Sequence, residues 1–562
     1  MKGIKALTLL TFLLPLFFYT LTLSPTVSLI DSGEFITAAQ YLNIIHPTGY
    51  PLYTLFLRLS AFFPIIDLAK KVNFLSALFS SFSVFFFFLF LLSLQKELTI
   101  ALSLSFLYAF SDLIWSISNE AEVYSLTALF ATLILFLLTN WEKRNIPLLI
   151  AFLLGLAFTN HMMIISLFFS FLLFFFQKRE KISPLYPLLF LLGLSLYLFL
   201  PIRSSLSPLF NWGNPKDLTR FFWHITGKQY RVWMFSASFS EIFQNFKQGI
   251  SLLLRNTLFL FLPLSLFGIF FAFRQEKRFT PLFFLLALLS FFYAINYSIP
   301  DIQPYYLLTF ISLLYFLSFT LKGLAKKIKL LSRAYLLLLP LPIILNFSNA
   351  NKRDYYLALD FARNAFISAP DSSIILTNWW DFYAPSLYLQ HIKGERKDLI
   401  IIDKELLRRS WYYDYLKKVY PELLKKSERE LADFLPYLHQ FEYGNLKDNL
   451  GIQEAFIRLI RSFLEKSPKR RHFFLFLPSF DHDLPFILKG KKVIPYGILF
   501  EIRDDTVYYP FAYRQLTYRL PKKRLEERER VILDYYHLLA QERQKYLKTL
   551  KKEEGIENWL KK

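Results

Sequence analysis

The chain has 562 residues, 54% of them hydrophobic, with 65 Phe, no Cys and a formal net charge of +22. That length exceeds one ordinary soluble core, and the apolar residues concentrate before residue 350, in runs such as Phe85 to Phe88 and Phe174 to Phe176 that a soluble protein would expose as a large sticky surface. The basic excess does not point to nucleic acid, because before residue 350 it sits in short clusters between apolar runs, and the absence of Cys excludes disulfides, thiolate nucleophiles and Cys-ligated metals.

In chain order, Leu7 to Leu23 follows Lys2 and Lys5 like a signal peptide, but Leu23-Ser24-Pro25-Thr26 is a poor cleavage site, so the stretch reads as a retained first span. A span needs about 20 apolar residues. Candidates are 6–23, 72–94, 98–116, 122–140, 146–160, 162–176, 183–201, 251–273, 279–297, 304–321 and 333–347, about eleven in all. The pair at 146–160 and 162–176 meets at Asn160 and His161, so one broken or re-entrant helix competes with two spans there. Residues 52–66, interrupted by Arg58 and ended by Pro64 and Asp67, read instead as an amphipathic helix along the outer surface.

With a cytoplasmic N-terminus, the inside loops carry Lys96, then Lys143 and Arg144, then Lys178, Arg179 and Lys181, then Arg274, Lys277 and Arg278, and finally Lys322, Lys326, Lys327 and Lys329. The outside turns hold Glu120, Glu122, Asn160, His161 and Asp301. This is the positive-inside pattern, expected here in a plasma (inner) membrane, and it leaves everything after residue 350 extracytoplasmic.

After Asn346 the period changes. Ser373 to Thr377 and Leu399 to Ile402 read as short buried strands flanking a helix near Phe382 to His391, a β-α-β unit. Further strand-like runs occur at His472 to Leu477 and Gly497 to Ile502, with charged helices at 404–465 and 521–550. The expected fold is thus a polytopic α-helical membrane domain, residues 1–349 with outer loops 24–71 and 202–250, followed by a soluble α/β domain, residues 350–562, with a charged helical tail. No Gly-rich phosphate loop, internal repeat or zinc spacing is visible.

Polar groups near membrane spans are costly, and here they gather at one face. The first outer loop reads Asp31-Ser32-Gly33-Glu34-Phe35 and then His46-Pro47-Thr48-Gly49-Tyr50-Pro51. Alone, Asp31-x-x-Glu34 reads as a helix capping box, and His46 to Pro51 as a turn restricted by its two prolines and glycine. Their company weighs against that. The same face carries Trp115, Glu120, Glu122 and Tyr124, then Asn160 and His161, then Arg203, beside a long loop with Asn211-Trp212-Gly213 and Gly227-Lys228-Gln229-Tyr230-Arg231. Such a face can supply a carboxylate to deprotonate an acceptor hydroxyl and an arginine, with Arg203 the best candidate, to hold a phosphate leaving group. Its aromatic rings can stack on sugar or line a lipid groove. Nucleotide sugars are made in the cytoplasm, so an outward-facing acidic site calls for a lipid-carried donor.

At these residues the sequence resembles the membrane glycosyltransferases of the GT-C superfamily, in particular the plexin-type protein O-mannosyltransferase family. The resemblance rests on Asp31-Ser32-Gly33-Glu34 with His46-Pro47-x-Gly49-Tyr50-Pro51, then Glu120-Ala121-Glu122-Val123-Tyr124, Asn160-His161, Tyr197-x-x-x-Pro201-Ile202-Arg203, Asn211-Trp212-Gly213 and Asn296-Tyr297-x-x-Pro300-Asp301. It extends to Trp379-x-Asp381, Gly394-x-Arg396-x-Asp398 and Trp411-Tyr412. Thr48 stands where the pattern more often has proline. The resemblance implies a polyprenyl-phosphate mannose or other hexose as donor and Asp31 as the base, with Glu34 as its partner or substitute. In the inverting transfer expected here, Arg203 stabilises the phosphate and His46, Tyr50, His161 and Asp301 shape the site, with Glu120, Glu122, Tyr124, Asn160, Trp212 and Tyr230 on the substrate side. The acceptor is an extracytoplasmic protein or envelope glycan, and the bilayer itself is a partner. A divalent metal at the phosphate is compatible with this chemistry, although no ligand set is legible. The rival is a lipid-linked sugar transporter or flippase; against it, no repeat is seen and the polar groups lie at one face. A membrane-anchored binding protein would leave the loop motifs without a role.

Overall fold

The computed structural model describes residues 2–64, 67–179, 183–467, 470–476, 481–522 and 524–556. Lys181 of the basic loop cluster and Leu477 of the third strand-like run lie outside the described residues. The chain forms two compact units. The first holds Met1–Pro25, His46–Ile202 and Pro215–Asp354; the second holds Thr26–Ile45, Arg203–Asn214 and Tyr355–Lys562. Where the sequence pattern runs a single boundary near residue 350, the second unit is discontinuous and takes in two segments from the apolar part of the chain.

The first unit is helical. Three helices among the described residues are long and apolar enough to cross a membrane: Leu68–Gln95, Leu185–Ser205 and Gln303–Lys327. Five result if the bent pairs Leu98–Ala109 with Asp112–Ser118 (59°) and Phe239–Asn256 with Phe261–Gln275 (93°) each count as one. The other stretches among the eleven expected fold as shorter apolar helices, including Lys5–Leu21, Tyr124–Leu138 and Thr280–Ile295. Polar residues inside the apolar pattern make the breaks. Ser111 ends one helix and caps the next, its Oγ accepting from the Ile114 amide at 3.3 Å. Between Ile146–Phe158 and Ile164–Gln177, the Asn160 amide donates to the Val123 carbonyl at 3.2 Å and to Thr127 Oγ1 at 2.8 Å, so two separate helices form there. The amphipathic segment after the first loop is the helix Pro51–Ala61.

Helix Leu68–Gln95 packs along Tyr124–Leu138, while Ile146–Phe158 meets Leu185–Leu194 backbone to backbone. A Cβ on Gly155 would sit 2.1 Å from the Phe190 carbonyl oxygen, and one on Gly193 2.3 Å from that of Phe152, so only glycine admits this approach. Leu185, Leu188, Leu191 and Leu192 on the latter helix remain exposed, an apolar face suited to lipid.

The second unit is built on a five-stranded sheet of order β2-β1-β3-β5-β4, with β1 Ile374–Thr377, β2 Ile400–Asp403, β3 His472–Leu475, β4 Lys492–Tyr496 and β5 Leu499–Arg503. β1 pairs in parallel with β2 and β3, as the β-α-β pattern requires, whereas β3-β5 and β5-β4 are antiparallel. Helix Trp380–Leu387, extended by a wider turn over Tyr388–Ile392, makes the crossover from β1 to β2. The charged tail is the helix Glu527–Leu550; its buried Arg543 donates Nη1 to the Pro495 carbonyl at 2.7 Å and Nε to Glu554 at 2.8 Å. Within this unit, Ile44 and Asn211 form a parallel bridge, with the Ile44 amide donating to Phe210 at 3.0 Å and the Trp212 amide to Ile44 at 3.2 Å. Residues 26–45 and 203–214 are thereby zipped to each other.

Candidate active site

Asp31 occupies the N-cap position of helix Ser32–Tyr41, yet its side chain makes no cap hydrogen bond. Its backbone lies at φ −92° and ψ −3°, outside the extended conformation in which a cap side chain reaches back to the helix amides. Instead, Trp380 donates its indole Nε1–H to Asp31 Oδ1 at 2.8 Å. Glu34 is buried, and oxygens of the two carboxylates lie within 4.8 Å of each other. The capping box that Asp31-x-x-Glu34 suggests is therefore not formed. Ahead of Asp31, Ile30 sits at φ +59°, a costly conformation for a β-branched residue. Its amide donates to Asp381 Oδ1 at 2.9 Å, and the buried Asp381 is in turn gripped by Arg528 Nη1 at 2.9 and 3.1 Å.

Helix Ser32–Tyr41 lies directly on helix Trp380–Leu387: a Cβ on Gly33 would fall 2.0 Å from the Ala384 carbonyl oxygen. Arg203 donates Nε to the Leu42 carbonyl and Nη2 to that of Tyr41, both at 2.8 Å. It thus closes the C-terminal end of the first-loop helix, where carbonyls lack intrahelical partners and the dipole is negative. Trp212 is buried, tilted over Trp411 at 4.8 Å and edge-on to Trp380 at 5.7 Å.

A second constellation lies within the first unit. Tyr50, at φ +42° before helix Pro51–Ala61, shares a hydrogen bond of 3.0 Å with His46 Nε2 and stacks on His161 at 5.8 Å. Tyr124 and Tyr305 flank His161 at 5.2 and 5.5 Å, and Tyr230 lies edge-on to His46 at 6.2 Å. The Met163 amide donates to His161 Nδ1 at 3.1 Å, which leaves Nε2 to carry the proton of the neutral ring. Glu120 is paired with Lys352 at 2.5 Å, while the Glu122 amide reaches Ser76 Oγ at 3.4 Å. Asp301 is half-buried in the turn before Gln303–Tyr306. The structure therefore joins His46, Tyr50, Tyr124, His161 and Tyr230 in one cluster and Asp31 with Glu34 in another, which Trp212 reaches through Trp380, whereas Arg203 sits at the opposite end of helix Ser32–Tyr41.

Trp380, Arg528, Tyr305 and Lys352 carry no role in the sequence reading, and Asp381 enters there only as part of a motif. The one available signal is the Trp379-Trp380-Asp381 run at the carboxyl end of a buried strand, the place where α/β sheets commonly put functional groups.

Residues 31–183 match the family described as Protein O-mannosyl-transferase TMEM260 N-terminal domain. The Mus musculus Protein O-mannosyl-transferase TMEM260 is 28% identical over 451 residues, which cover 72% of this chain and 63% of the mouse protein. The Dictyostelium discoideum protein O-mannosyl-transferase tmem260 is 28% identical over 299 residues, 48% of this chain and 36% of that protein. The chain thus spans less than two thirds of the length of either relative. Among solved structures, ArnT from Cupriavidus metallidurans bound to undecaprenyl phosphate aligns over 89% of this chain and 98% of its own, with a TM-score of 0.47 and 11% identity.

Long apolar helices and an acidic first loop built into an α/β unit define a membrane protein with a discontinuous second unit. More particularly, the chain is similar to the protein O-mannosyl-transferases of mouse and Dictyostelium, and the segment that matches the family model begins at Asp31 itself.

Proposed function

We propose that this chain is a membrane glycosyltransferase that moves mannose, or another hexose, from a polyprenyl-phosphate carrier to a hydroxyl of an extracytoplasmic protein, with inversion. The observation that carries the reading is the Asp31 carboxylate. It stands at the head of the family-matched segment, is not consumed in capping its own helix, and is oriented by a donor from a separate helix. In the transfer, Asp31 takes the proton of the acceptor hydroxyl as its oxygen bonds to the anomeric carbon. The bond from that carbon to the phosphate oxygen breaks, and its electron pair leaves with the lipid phosphate. Glu34 keeps a second carboxylate beside the first, and the pair is close enough to share one hard divalent cation at the phosphate.

Purified full-length protein given radiolabelled polyprenyl-phosphate mannose and a mixed protein extract should label the extract. Asp31→Asn, folded as judged by its melting curve, should abolish labelling; wild-type turnover in that variant refutes the base assignment. Movement of the lipid across vesicles without sugar transfer would return the chain to the flippase class. Activity unchanged after chelation assigns the carboxylate pair to base chemistry alone.

A further inference from the structure

We propose that Trp380 is a positioning residue for the Asp31 carboxylate, and that the Arg528–Asp381 ion pair holds the loop that presents it. The inference rests on the reading of Asp31 as base, and it adds to the reaction machinery three residues far from the first loop in sequence. Two consecutive residues at the head of helix Trp380–Leu387 grip two consecutive residues of the first loop: Trp380 takes Asp31 Oδ1, and Asp381 takes the Ile30 amide. An indole N–H is a donor only, so it cannot compete for a proton. It favours the ionised carboxylate and fixes its plane.

The ring that delivers this bond is itself fixed. Trp380 lies edge-on to Trp212 at 5.7 Å and tilted on Tyr383 at 5.7 Å, and the close contact at Gly33 sets the spacing of the two helices. Asp381, 3% exposed, has its charge matched by Arg528, the second residue of helix Glu527–Leu550, and also receives the Trp379 indole at 3.4 Å. The left-handed Ile30 needs such a hold, because nothing local favours a β-branched residue at positive φ. A fold that needed only to start the helix would have used Asp31 as its cap; here the cap is forgone and the carboxylate is turned to an outside donor.

The test uses the full-length protein and the mannose-transfer assay above. Trp380→Phe keeps the ring and removes the donor; kcat should fall roughly ten- to a hundredfold, the loss expected for a hydrogen bond to a charged group. KM for the lipid donor should stay unchanged, and the acid limb of the pH–rate profile should move to higher pH. If Trp380→Phe melts early, benzothienylalanine at position 380 replaces the N–H by sulfur at constant shape and should give the same kinetics. Asp381→Asn retains an acceptor for the Ile30 amide but loses the Arg528 ion pair; it should lower kcat while leaving the acid limb in place. Wild-type kcat and an unmoved acid limb in Trp380→Phe, with Asp31→Asn inactive, overturn the inference and leave the proposed function standing. An active Asp31→Asn removes both.

Discussion

Gly33→Ala tests the packing that brings the first loop to its partners. The added Cβ would lie 2.0 Å from the Ala384 carbonyl oxygen, 2.3 Å from its carbon and 2.9 Å from the Pro385 nitrogen, all backbone atoms without a rotamer to yield. Reaching even 3.0 Å, below which real Cβ contacts essentially never fall, requires the two helices to part by about 1 Å. Overpacking of this kind costs about 1–3 kcal/mol, and a 1 Å misplacement of a reacting group costs on the order of a hundredfold in rate. Asp31 lies two residues before Gly33 and Trp380 four before Ala384, so the displacement falls on the bond between them. Gly33→Ala should therefore lower the midpoint of thermal unfolding and reduce kcat for the proposed mannose transfer far more than it raises KM. Gly323→Ala, inside helix Leu307–Lys327 where an added Cβ meets nothing within 4 Å, is the control and should leave turnover unchanged and the midpoint unchanged or slightly raised. A Gly33→Ala protein with wild-type melting and turnover would refute the argument.

Arg203→Ala should destabilise the protein by about 1–3 kcal/mol through the loss of two charged hydrogen bonds to carbonyls, read as a shift in the denaturation midpoint. A rise in KM for the lipid donor beyond the kcat loss would support phosphate binding; unchanged KM would restrict Arg203 to closing the helix. Lys352→Met should cost on the order of 3 kcal/mol by leaving the half-buried Glu120 without its cation, and Glu120→Gln in the same chain should recover part of it, as a double-mutant cycle measures. A folded double variant that still transfers sugar assigns the pair to structure; one that does not returns Glu120 to the substrate side. Burial pushes the Asp403 carboxyl up to about 7. Because the folded value lies above the ordinary 3.8, its stabilising contribution is complete below that pH and is lost as pH rises toward 7. Asp403→Asn should flatten the decline in stability between those limits in pH-dependent unfolding; an unchanged slope would show that Asp403 titrates normally.

The similarity to the protein O-mannosyl-transferases and the crossover in the second unit were both legible in the sequence. Phe-rich apolar runs need lipid, Ile374 to Thr377 and Ile400 to Asp403 are too short and too uniformly apolar to be anything but buried strands, and the first-loop motif falls where the family match begins. Helix length was less legible. Hydropathy averages over a window, whereas a helix ends where one residue, such as Asn160 or Ser111, finds better hydrogen bonds than the helix offers.

What the sequence alone determined about this protein is local: which stretches repel water, which residue types stand at the start of the first loop, and which motif they spell. Tertiary structure decided the rest. It drew residues 26–45 and 203–214 into the second unit, turned Asp31 from its own helix to Trp380, and set Arg203 on the carbonyls of Tyr41 and Leu42. The reason is separation along the chain: Asp31 and Trp380 are 349 residues apart, and Arg203 is 162 from Tyr41. Periodicity and capping rules reach only a few residues in either direction, so bonds of that span exist only once the chain has folded.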